Sequence, residues 1–202
     1  MPQSWHPFLG VKEEKESNMR AKECFISVDV ETTGPIPGLY SMLEIGATRI
    51  EQPEWDFNVH VKVLPETRYE DEALKAIRVT REKLEHPLIG TDPREAMKSF
   101  DYWIETQSEG HVRPVFAALN APFDWMFVAW YFHTFLGRNP FGYNALDLKA
   151  YFMGREGVAW AKTGKSDIDA QYPNILPHTH GALDDARKVA EQFRLMQKRA
   201  HH

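Results

Sequence analysis

The chain has 202 residues, of which 43% are hydrophobic and 26% charged, and it carries a formal net charge of −5. That profile fits a globular chain able to bury a sizeable core without staples, and the single cysteine, Cys24, excludes an internal disulfide. The most apolar segment, 115–136, is interrupted by Asn120, Asp124, His133 and Thr134, so it falls short of the roughly 18 to 20 apolar residues of a membrane span. With no basic start and apolar run of a secretory signal, cytoplasmic residence is the expectation.

Residues 1–22 are charged, contain Pro2 and Pro7 and show little periodicity, so they read as a flexible extension, with Met19 a second candidate start and 23–200 forming one domain. Cys24 to Val30 is β-branched and apolar, ends at Thr32-Thr33-Gly34-Pro35, and predicts a central strand. Strands over Met42–Ile50 and Asp56–Leu64, separated by the turn-like Glu51-Gln52-Pro53-Glu54, would complete an antiparallel meander. A short helix is expected over Glu70–Ile77. Thr91-Asp92-Pro93-Arg94-Glu95 then supplies a cap, a first-turn proline and an acid for a helix running to about Gln107. Pro114–Leu119 reads as a strand, Pro122 opens an aromatic-rich helix to about Phe135, a short strand lies near Asn144–Leu146, and a helix follows over Leu148–Phe152. Gly154–Thr179 shows little helical period, and Ala182 to about Lys198 is a final amphipathic helix. A meander followed by alternating helices and strands makes an α/β layered fold.

Three places could carry chemistry. Asp29 and Glu31 end the most apolar strand, where an unpaired carboxylate is costly. Two residues apart on a strand, they face the same side, and like charges so close call for a cation, with oxygen donors favouring a hard divalent metal such as Mg²⁺ or Mn²⁺. Alone, Asp-x-Glu is a weak signal that a solvated strand end also explains. Asp124 is the only charged group in an apolar helix start, where the helix dipole would favour it too. His178-Thr179-His180-Gly181-Ala182-Leu183-Asp184-Asp185 sets histidine before a helix and carboxylates in its first turns. The tryptophans and phenylalanines at 125, 130, 132 and 135 read as core packing, and Cys24 as a small core residue.

Order and context together resemble the DnaQ-like DEDDh 3′-to-5′ exonucleases. The motifs are Ser27-Val28-Asp29-Val30-Glu31-Thr32-Thr33-Gly34 with Leu43-Glu44-Ile45-Gly46-Ala47, then Asn120-Ala121-Pro122-Phe123-Asp124, and His180-Gly181-Ala182-Leu183-Asp184-Asp185-Ala186. The match spans about residues 24 to 198 and also takes in Arg78 to Leu84 and Asp147. The resemblance implies a ribonuclease H-like mixed central sheet with helices on both faces, a single exonuclease domain, and two Mg²⁺ (or Mn²⁺) ions. Asp29 would be shared between the ions, Glu31 and Asp185 would hold the first, Asp124 would serve the second, and His180 would be the general base. Asp184 is assigned to the outer face of the helix. Thr32, Thr33 and Asn120 are candidate substrate contacts, and one of Ile36, Leu39 or Tyr40 is expected against the terminal base.

Charge is unevenly distributed. Residues 51–109 hold 14 acids and 8 bases, whereas 137–165 hold Arg138, Lys149, Arg155, Lys162 and Lys165 against Asp147 and Glu156. That basic stretch, with Lys162 and Lys165 foremost, is expected to bind the phosphates of a single strand. The expected activity is removal of nucleoside 5′-monophosphates from single-stranded 3′ ends, DNA or RNA, by a monomer or homodimer. The rivals are a silent nucleic-acid-binding module of this fold and a phosphodiesterase acting on dinucleotides or cyclic nucleotides.

Overall fold

The computed structural model describes residues 23–86, 88–108, 113–173 and 181–199; the extension expected over 1–22 lies outside them. β1 (Cys24–Thr32) is the middle of a five-stranded sheet and is buried along most of its length, which accounts for its largely apolar run. It pairs antiparallel with β2 (Met42–Arg49), which pairs antiparallel with β3 (Gln52–His60). On the other side β1 runs parallel to β4 (Pro114–Ala118), and β4 parallel to β5 (Ala145–Asp147). The sheet order is β3-β2-β1-β4-β5, and the sheet is mixed as expected.

Alternation along β1 divides the molecule. Cys24, Ile26, Val28 and Val30 face a core built with α3 (Pro93–Gln107) and α4 (Ala121–Leu136), where Phe100, Phe116, Phe132 and Phe141 pack ring against ring. Phe25 faces the opposite layer of α5 (Leu148–Glu156), α6 (Lys165–Gln171) and α7 (Ala182–Arg199). Ser27 faces that layer too, and its hydroxyl donates to the Ala186 carbonyl at 2.8 Å. Helices thus cover both faces. Phe132 is fully buried, and Trp125, Trp130 and Phe135 pack against the first core.

Two expectations are corrected. β3 occupies Gln52–His60 rather than Asp56–Leu64, and the turn shrinks to Ile50 and Glu51 because Arg49 pairs directly with Gln52. Pro53 read as a turn residue, but β3 is an exposed edge strand, where a missing N–H costs no ladder bond. The stretch 154–179, read without helices, contains the end of α5, a 3₁₀ turn at Trp160–Lys162 and α6. Seven residues are too few for a period to register. Tertiary contacts fix α6 instead: Ile168 is fully buried, and Asp169 accepts from Lys188 (2.8 Å) and Gln192 (2.7 Å) on α7. Short helices also span Asp71–Ala76 (α1) and Arg81–Leu84 (α2), the second capped by the Thr80 hydroxyl accepting from Lys83 N. Asp92 caps α3, its side chain accepting from the Arg94 and Glu95 amides.

Gly46 sits opposite Asp29 in the β1–β2 register, and a side chain there would run into the backbone of Ala182 and Leu183. Its lack of a Cβ is what lets the start of α7 lie against the sheet. Because the obstacle is backbone, Gly46→Ala is expected to destabilise the protein by about 1–3 kcal/mol, the usual cost of overpacking, as measured by thermal or denaturant unfolding. An unchanged midpoint would show that α7 can back away at no cost.

Candidate active site

Asp29 and Glu31 stand near the carboxyl end of β1 on the face turned to α7. Two local devices bring α7 there: the bare surface of Gly46 and the Ser27 hydrogen bond to Ala186, next to Asp185. Asp124 comes from the first turn of α4 and is buried, its Oδ1 accepting from the Val30 amide at 3.1 Å. Asp147 anchors that turn from below, accepting from the Ala121 amide at 2.6 Å and the Ala150 amide at 2.7 Å. Asn120, just before α4, is left-handed (φ 65°) and exposed.

The acids sense one another. Burial, followed by repulsion from Asp124, Glu31 and Asp185, holds the Asp29 carboxyl well above its ordinary range, and Lys165 opposes the shift. Burial, then Glu44 and Asp185, pushes Glu31 up to about 7, again against Lys165. Asp124 is raised to about 8, mostly by burial; hydrogen bonds from Val30 and its own backbone oppose this, while Glu31 and Asp147 add to it. Four carboxylates from three chain segments therefore share one partly desolvated space. Among the described residues no three acidic, histidine or cysteine side chains are already drawn in around one metal position, but an all-oxygen donor set under such repulsion is one that a hard divalent cation would relieve.

The remaining predicted residues fare unequally. His180 and His178 lie outside the described residues. Lys165, expected to meet distant phosphates, has its Nζ 3.5 Å from Asp185 Oδ1, among the acids themselves. α6 carries it there, so nothing local to its sequence announced it. Lys162 is exposed on the 3₁₀ turn. Thr32 and Thr33 are buried, with their hydroxyls engaged in the following loop: Thr32 donates to the Gly34 carbonyl and Thr33 accepts from the Ser41 amide, both at 2.9 Å. In that loop Ile36 and Leu39 are exposed, while Tyr40 donates to Glu70 Oε1 at 2.9 Å. Asp184 pairs with Arg187 at 3.2 Å, and Arg187 also reaches Asp56. Of the basic stretch, Arg138 is taken by Asp101 and Glu105, and Arg155 by Glu156 and Tyr172. Glu44, the cross-strand partner of Glu31, is a site acid that sequence reasoning missed, although it lies inside the quoted Leu43 to Ala47 segment.

The model of the RNase_T family, described as exonuclease, matches residues 26–193. The chain belongs to this exonuclease family. It is 43% identical over 180 residues to the 3′-5′ DNA exonuclease Cap18 of Escherichia coli, covering 88% of this chain and 93% of that protein. Among solved structures it is similar to the nuclease domain of 3′hExo, a DEDDh family member bound to rAMP. The TM-score is 0.64 at 16% identity, over 87% of this chain and 92% of that one. It is also similar to the zinc-bound form of an E. coli ExoI–ssDNA complex, with a TM-score of 0.65 at 16% identity, over 89% of this chain and 41% of that one. These likenesses show a ribonuclease H-like fold. As a member of that family the protein is an exonuclease, a hydrolase. Among the described residues no helix is long and apolar enough to cross a membrane.

The acid cluster sets a pH dependence with a definite sign. Without metal, each raised acid holds its proton more tightly folded than unfolded, so its contribution to stability is full below the ordinary carboxylate range. It is lost as pH rises through about 7 for Glu31 and about 8 for Asp124. The melting temperature of chelator-treated protein is expected to fall between about pH 5 and about pH 8.5, and Glu31→Gln with Asp124→Asn to flatten that fall. A profile that the double substitution leaves unaltered would mean that these two acids are not held above their ordinary range in the folded state.

Proposed function

We propose that the protein removes nucleoside 5′-monophosphates stepwise from the 3′ end of a single strand, by metal-assisted attack of water on the terminal phosphodiester. The observation that carries this reading is the convergence of Asp29, Glu31, Asp124 and Asp185, three of them with strongly raised proton affinity. A silent binding module would have no reason to keep that costly cluster together. The activity in the name of the E. coli relative favours DNA as the substrate.

Asp29, Glu31, Asp124 and Asp185 would hold two Mg²⁺ or Mn²⁺ ions. Bound there, the ions supply water activation and charge neutralisation at the leaving 3′ oxygen. The chain does the rest. His180 takes the proton of the attacking water, a task that suits an imidazole titrating near working pH. Asp147 and Val30 keep Asp124 aimed, and the internally bonded Thr32 and Thr33 hold the loop that offers Ile36 and Leu39 to the terminal base. Asn120 sits at the exposed start of α4 as a further contact. Lys165, close to Asp185, meets the reacting phosphate, and Lys162 the next one.

The test is a set of end-labelled DNA and RNA oligomers of matched sequence, incubated with Mg²⁺ or Mn²⁺. A ladder shortening from the 3′ end with release of nucleoside 5′-monophosphate is the expected result; internal cuts, or no cleavage of either polymer, would overturn the reading. Asp29→Ala should abolish turnover, yet its metal-free melting temperature should hold or rise because one repelling charge is gone. A marked fall in that temperature would make Asp29 a structural acid.

His180→Ala separates proton transfer from metal holding. Calorimetric metal binding should survive, while turnover drops by roughly 10² to 10⁴-fold. His178→Ala should cost far less. With metal saturating, the wild-type rate should decline as pH falls through the imidazole range, near the unperturbed value of about 6.5. Near-normal turnover in His180→Ala, with loss in His178→Ala, would reassign the base.

A further inference from the structure

We infer that Trp160 is a stacking platform for one unpaired base of the strand, upstream of the reacting 3′ end; the inference rests on the exonuclease reading. Trp160 is 54% exposed, unlike the tryptophans of α4, which pack against the core. An exposed indole is a large apolar surface kept in water, and a nucleobase is a flat partner that can cover it.

The ring is held ready rather than left loose. Lys149 Nζ lies 4.5 Å from its centroid, a cation–π contact that steadies the indole and sets a positive charge beside it. The turn beneath is pinned by the buried Thr163, whose hydroxyl donates to the Trp160 carbonyl at 2.8 Å, and by the Lys162 amide donating to Ala159 O at 2.8 Å. Exposed Lys162 follows two residues on.

Continuity with the acid cluster gives the platform its place. Lys165, which reaches Asp185, is five residues beyond Trp160, so the two Cα atoms are at most about 18 Å apart even if the chain were fully extended. A strand whose end lies among the acids can therefore reach the indole within its first few nucleotides. Lys165, Lys162 and Lys149 offer its phosphates a line of charge, the pairing of cations and aromatic rings that holds single strands. Stacking needs an exposed base face, so the platform selects unpaired strands and is indifferent to sequence. Trp55, 53% exposed, has no such setting: it lies on edge strand β3, beyond β2 from the acids.

The experiment measures binding of single-stranded oligonucleotides to full-length protein at low salt with Mg²⁺ present, the terminal linkages made as uncleavable phosphorothioates, with one abasic position moved stepwise from the 3′ end. In wild type, one upstream abasic position should weaken binding about 5- to 150-fold, the worth of one base–aromatic stack. Trp160→Ala should lose a similar factor on the intact strand and no longer respond to that position, while Trp160→Phe restores the response. Trp55→Ala should keep the wild-type profile. A wild-type profile without such a position, or the same sensitive position in Trp160→Ala at unchanged melting temperature, would overturn the assignment. Failure of the exonuclease reading shows separately, as wild-type protein that shortens no unmodified oligomer with Mg²⁺ present.

Discussion

Repulsion among four carboxylates is the constraint that the rest of this structure answers to. Burial and the neighbouring carboxylates, Asp185 among them, raise the proton affinity of Asp29, Glu31 and Asp124, so the acids do not hold their own cluster together. The restraint comes from outside. The apolar layers on either side of the sheet fix β1, α4 and α7, and a few directed contacts then set the acids. Gly46 admits the start of α7, Ser27 ties Ala186, the Val30 amide fixes Asp124, and Asp147 fixes the turn that carries it. Each is a backbone or hydroxyl contact within one turn of an acid, so small shifts in packing translate directly into the spacing of the carboxylates.

Lys165 is the cation that both Asp29 and Glu31 feel, and it relieves part of their repulsion without neutralising it. Its position depends on α6, a helix of seven residues that cannot stand alone. The helix is held by buried Ile168 and by Asp169 bonded to Lys188 and Gln192 of α7. α7 thus contributes twice, through Asp185 directly and through Lys165 by way of α6.

What could be read in the sequence follows from this division. β1 was legible because a strand buried on both faces writes itself as an apolar run, and its terminal acids stood out against that run. α3 was legible through Asp92 and Pro93, whose cap geometry is local. β3 was misplaced because an edge strand tolerates Pro53 and polar residues, which imitate a turn. α6 and the location of Lys165 were invisible because tertiary contacts, not period or caps, determine them. Glu44 was hidden for a related reason: its effect on Glu31 is a cross-strand relation, which only register reveals.

The two tasks proposed for the molecule, holding the acid cluster and holding a strand, fall on different parts of the fold. The acids ride on β1, α4 and α7, which are anchored in the core, whereas Lys149 lies in the first turn of α5 and Trp160 and Lys162 on the turn between α5 and α6, the segment that would form a rim for the strand. Changes at well-separated positions usually combine additively, so the rim can vary its grip on nucleic acid without disturbing the carboxylates. Lys165 breaks that independence. It belongs to the rim by sequence and to the acid cluster by contact, so a substitution there alters phosphate attraction and carboxylate repulsion together. Coupling between strand affinity and the charge state of the site should therefore concentrate at Lys165, while Lys162, exposed and three residues earlier, should affect the strand alone.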